Sequence, residues 1–177
     1  MSLTQIYILS QVFIILNYVF LVITYQLKSK KKILLVNIAA QVSAGLSFLC
    51  LHAYTGLAMI IISIFRNIVF IINDDKNGSP KEVTVNEILM LLVVYALTIV
   101  SSVITFNGFL SLMSVFATML ATYSMWQKST KTFKILGIPV SLLWITYNIY
   151  IKSLFGIILE CILMTSAIIG FIRERKD

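Results

Sequence analysis

The sequence predicts an all-α polytopic membrane protein with seven transmembrane helices. Three observations predict it. The 177 residues are 59% hydrophobic and 12% charged, where a soluble domain carries roughly 25% charged residues. Mean hydropathy is +0.97. The apolar residues fall in blocks near the length of about 20 that crosses a bilayer core as a helix, without the alternation of a transmembrane barrel.

The elements follow in order. Ile6–Leu27 is uncharged, with no basic region before it and no small-residue cleavage site after it, so it reads as a retained helix rather than a signal peptide. A basic loop at Lys28–Lys32 leads into Ile33–Leu51, and an outer turn with His52, Tyr54 and Gly56 follows. The third block, Leu57–Ile72, is short and contains Arg66 and Asn67. The connector Asn73–Glu87 (NDDKNGSPKEVTVNE) carries Gly78 and Pro80 and predicts a loop. Four more blocks complete the chain: Ile88–Phe106, Phe109–Trp126, Phe133–Ile151 and Leu154–Ile172.

The positive-inside rule decides whether the third block spans. If it does, and the amino terminus lies outside, the inner segments hold Lys28, Lys30, Lys31, Lys32, Lys76, Lys81, Lys128, Lys131, Lys134, Arg173, Arg175 and Lys176. The outer loops then hold Lys152 alone, with Arg66 inside the membrane. If it does not, all later segments flip and the bias reverses. Seven spans, an outer amino terminus and a cytoplasmic carboxyl terminus follow.

The net charge of +7 therefore reads as an orientation signal and a contact for anionic lipid. No basic face survives outside the membrane to hold nucleic acid. Cys50 and Cys161 lie inside apolar blocks and His52 is the single histidine, so no metal-ligand set or cofactor motif is expected. No nucleophile–base set or phosphate loop argues for an enzyme.

The chain repeats at an offset of 100. KSKKKI at 28–33 falls on KSTKTF at 128–133, and the turn glycine Gly56 falls on Gly156. Ile38, Ile62, Ile68 and Ile72 also meet isoleucines. This predicts one membrane domain of two three-helix repeats, 5–73 and 107–173, with a loop and linker helix at 74–106. An odd linker gives both triplets the same direction, hence a parallel 3-1-3 repeat about an axis along the membrane normal.

The segments KSKKKILLVN…GLAMIIISIFRNIVFI and TFKILGIPVSLLWITYNIYIKSLFGIILECIL resemble the YgjV family of bacterial inner membrane proteins. A basic loop, a turn glycine and Arg66, then Trp144, Asn148, Gly156 and Glu160, carry the likeness. The 3-1-3 arrangement is similar, more remotely, to the SWEET and PnuC transporters, and the ending GFIRERK resembles the close of PnuC-type chains. That resemblance implies a small polar solute moved by alternating access between the triplets. The chain departs from it in lacking a Pro-Gln dipeptide. Its single membrane proline, Pro139, has Ala39 as repeat mate.

Five residues are candidates for a substrate path. Arg66 stands ten residues past Gly56, about 15 Å deep at 1.5 Å per residue, where a charge costs roughly 2.5–3.5 kcal/mol on insertion scales. It is either an anchor for an anionic or carbonyl-bearing solute or a structural arginine bonded to carbonyls, hydroxyls or the interface. Glu160, four residues past Gly156, is either a proton- or cation-coupling site, a partner for Arg66, or a carboxylate bonded to polar neighbours. Its axial offset from Arg66 is about 9 Å. Trp144 and Asn148 share a helix face and, with Asn67, could line a pocket. Tryptophan is also a belt residue, and asparagine is also interhelical glue. Gln11, Asn17, Asn37 and Gln41 read first as such glue. The expected function is a small-molecule permease; the rival expectation is a non-transporting membrane scaffold.

Overall fold

The computed structural model describes residues 3–50, 54–76, 85–104, 111–150 and 154–176. Each predicted block contains a helix among the described residues: α1 (Leu3–Gln26), α2 (Lys30–Cys50), α3 (Tyr54–Lys76), α4 (Val85–Ile104), α5 (Ser111–Trp126), α6 (Thr130–Tyr150) and α7 (Leu154–Lys176). Among the described residues, four contain stretches long and apolar enough to cross a membrane: Thr4–Gln26, Lys30–Cys50, Thr130–Tyr150 and Gly156–Arg175. Shorter apolar stretches, Ile60–Ile72 and Ile88–Val100, lie within α3 and α4.

Two boundaries differ from expectation. The third helix has 23 residues and runs on to Lys76, so the start of the predicted loop is helical. Hydropathy fails at Asn73, but helix backbone bonds do not depend on apolar side chains and continue through a polar turn. Likewise α4 begins at Val85, inside the predicted connector. His52 and the middle of that connector, 77–84, lie outside the described residues.

The chain divides into two compact units, residues 1–76 and 77–177. In the first, α2 packs against both α1 and α3. Its buried positions include Ile33, Leu34, Asn37, Ala40, Ala44 and Ser47, a stripe at helical spacing. Gly45 permits the close approach of α3: a Cβ there would sit 3.3 Å from Ile60 Cγ2. In the second unit α6 packs against α5 and α7, and α4 packs on α5, where the Tyr95 hydroxyl donates to the Met119 carbonyl at 3.3 Å.

The 100-residue offset reappears in the elements. The bounds of α2 and α6 differ by 100 at both ends, as do those of α3 and α7, and α1 and α5 end at 26 and 126. The turns into α2 and α6 are built alike. Ser29 accepts from Ile33 N–H at 2.9 Å and Ser129 from Phe133 N–H at 3.1 Å, the first helical bonds after an N-cap. Ser129 Oγ also accepts from Thr132 N–H. Before each turn a buried hydroxyl, Thr24 or Ser124, donates to the carbonyl three residues back.

Candidate functional site

In the first unit, polar side chains meet within the helix packing. Arg66, Asn67 and Phe70 form the buried stripe of α3, while Ile61, Phe65 and Ile68 are exposed. That split places Arg66 and Asn67 toward α2 rather than toward lipid. Arg66 Nε donates to Asn67 Oδ1 at 3.3 Å. Asn67 Nδ2 in turn donates to Asn37 Oδ1 on α2 at 2.7 Å. Asn67 is 0% exposed and Asn37 2%, so this interhelical bond is shielded from any competing solvent. One turn further on α2, the Ala40 carbonyl accepts from Asn17 Nδ2 of α1 at 2.8 Å. Polar bonds therefore tie α2 to both its neighbours.

In the second unit, α7 buries Glu160, Leu163, Ser166, Ala167 and Gly170 along one face. Glu160 accepts a hydrogen bond from the Ser141 hydroxyl of α6, and Ser141 is itself 1% exposed. Arg66 and Glu160 thus each have a neutral bonding partner inside their own unit. Trp144 and Asn148 continue the Ser141 face of α6 at three- and four-residue steps. Both are half-buried. Asn148 Nδ2 donates to the Trp144 carbonyl at 2.9 Å, the bond of a residue to its own preceding turn. The Trp144 ring meets Tyr147 edge-on, with centroids 5.9 Å apart. The structure brings Arg66 and Asn67 into one cluster, while Trp144 and Asn148 bond along their own helix.

A third cluster gives Lys134, counted in the sequence among the inner-segment charges, a partner within the helix packing. Lys134 lies one turn inside α6 and is buried. Its Nζ stands 2.6 Å from Glu174 Oε2 at the end of α7, and the Thr130 hydroxyl bonds to Glu174 Oε1. Thr130 and Lys134 are four apart on one helix face, so two α6 side chains clasp one α7 carboxylate. A usable signal existed: once Ser129 is taken as the cap, Lys134 falls in phase with the buried positions Gly137 and Ser141. Charge alone concealed it. Asn37 and Ser141 were undervalued for another reason, since a partner on a neighbouring helix cannot be read from spacing within one helix.

Helices of membrane-crossing length and composition, with exposed aliphatic faces and inward polar clusters, define an all-helical integral membrane protein. A family model described as bacterial inner membrane protein, Imp-YgjV, matches residues 8–177, and the chain belongs to that family. No curated protein and no solved structure matches the chain.

Proposed function

We propose that the protein is a permease for a small polar solute in the bacterial inner membrane. The two repeated triplets act as its moving parts, with an outer amino terminus and a cytoplasmic carboxyl terminus. The Arg66–Asn67–Asn37 chain carries the reading. Burying an arginine and two carboxamides among membrane helices is costly, and intramembrane polar groups of this kind mark solute pathways. Glu160 with Ser141 supplies a second polar point on the equivalent helices of the other repeat. The shared helix bounds at an offset of 100 support a parallel 3-1-3 repeat of SWEET-like type. Trp144, Asn148 and Asn67 line the path in this reading.

The test is solute flux in proteoliposomes, screened over small polar metabolites. Wild-type protein is expected to move at least one of them. Arg66→Ala and Glu160→Gln are expected to abolish that flux while eluting as folded protein on size exclusion. Protein that moves none, with variants that change only folding or assembly, would favour a scaffold.

A further inference from the structure

We infer, resting on the permease reading, that Glu160 is the carrier's proton-binding site. One carboxylate oxygen takes a proton from water to form the neutral acid and releases it on the other side of the membrane, with no other bond made or broken. A comparison of the two acids on α7 leads there. Glu174, in the last turn, stands 2.6 Å from the Lys134 ammonium and also bonds the Thr130 hydroxyl, so its charge is matched. Glu160 lies fourteen residues earlier, about 21 Å along the axis. It is 7% exposed, and its bonding partner among the described residues is the Ser141 hydroxyl, 1% exposed. The described cations of α6 and α7, Lys131, Lys134, Arg173 and Arg175, all lie in the first two turns of α6 or the last turn of α7. Lys134, seven residues before Ser141 on α6, is about 10 Å from it along the axis. A carboxyl taken out of water with no opposite charge beside it favours the neutral form, and two acids held in such different surroundings take different roles.

The hydroxyl partner suits that role. A hydroxyl is one donor and two acceptor sites. Ser141 donates to the ionised carboxylate and, by turning its O–H, accepts from the protonated acid, so the bond between α6 and α7 persists in both states. The Lys134 ammonium can only donate, which holds Glu174 in its charged form. The tyrosines and the cysteine of the second unit are engaged or turned away: Tyr147 meets the Trp144 ring, Tyr123 meets Trp126, Tyr95 donates to the Met119 carbonyl, and Tyr150 and Cys161 are exposed. The repeat shows that packing does not demand the acid. At the offset of 100, Glu160 and Ser141 become Ile60 and Gln41. Ile60 faces α2, its Cγ2 3.3 Å from where a Cβ on Gly45 would sit. The fold thus fills the equivalent position of the first unit with an aliphatic side chain. The carboxyl of the second unit is costly in a bilayer, and acids so placed mark proton relays.

Infrared difference spectra of the full chain in phosphatidylcholine nanodiscs, recorded against pH, test this. The carbonyl stretch of a protonated carboxyl is expected to persist at neutral pH, far above the value of about 4.3 at which an ordinary glutamate titrates, and to vanish as the pH is raised. Glu160→Gln is expected to lack that band; should it not fold, Glu160→Ile, which copies the first unit, takes its place. In Ser141→Ala the ionised form loses a hydrogen bond, and the midpoint is expected to rise by about one pH unit. A band that titrates as an ordinary glutamate, or one that both Glu160 variants retain, overturns the proton site. Solute flux in proteoliposomes without the Glu160 band overturns the site and leaves the permease reading standing. The band without flux of any screened solute retains the site and removes the permease reading. Where both are seen, an imposed pH gradient is expected to concentrate the solute by up to about tenfold per pH unit for one proton exchanged. Flux that ignores the pH gradient, or follows a sodium gradient instead, overturns the carrier role of the proton.

Discussion

Asn67 accepts through its oxygen from the neighbouring Arg66 and donates through its nitrogen to another helix. Substituting either end of the α2–α3 bond leaves a buried polar group without its partner, which costs about 1–3 kcal/mol. The pair itself is worth less, because bonds between membrane helices average about 0.6 kcal/mol and reach about 1.7. Asn37→Ala and Asn67→Ala are therefore each expected to destabilise, and the double variant to lose less than their sum. Reversible denaturation of all three variants in micelles checks this; strict additivity would mean that the two side chains do not interact. Arg66 and Asn67 stood out in the sequence because they interrupt an apolar block. Asn37 did not, since a single asparagine in a span reads as ordinary glue until its partner is known. Asn148 went the other way: its face on α6 was legible, but its donor turns back to its own helix.

At the scale of elements, the Thr130–Lys134–Glu174 clasp joins the first turn of α6 to the last turn of α7. Removing one partner of a buried ion pair costs about 3–5 kcal/mol, whereas replacing both with apolar residues is often neutral. The Glu174 side chain is 16% exposed, which places the expected cost at the lower end. Lys134→Met should thus lower thermal stability markedly, and Lys134→Met with Glu174→Met should recover most of the loss. Equal losses in the single and double variants would show that the clasp contributes through shape alone. At the α2–α3 contact, Gly45→Leu is expected to destabilise by about 1–3 kcal/mol through overpacking, because even a Cβ meets Ile60 at 3.3 Å. Thermal melts of the same detergent-purified series would read both effects. Helix existence was legible from block length. The end of α3 at Lys76 was not, since hydropathy reports where lipid stops and not where backbone bonding stops.

For the whole molecule, the strongest sequence signal is the placement of charge. Burial of Lys134 removes one of the twelve basic residues assigned to the inner segments and leaves eleven, against Lys152 outside. The topology prediction survives that correction. A carboxyl-terminal fluorescent-protein fusion should therefore be fluorescent, and an amino-terminal tag should be cleaved by protease added to spheroplasts; the reverse pattern would overturn the orientation. The sequence by itself determined the helical membrane class, the order of the helices and the offset of 100. These depend on composition and spacing along one chain, which the bilayer reads segment by segment. Only the tertiary structure decided which polar residues meet. Asn67, which accepts from Arg66, reaches Asn37, Glu160 meets Ser141, and Lys134 pairs with Glu174. Each pairing depends on the rotation of one helix against another, which is set by packing and small-residue contacts such as Gly45.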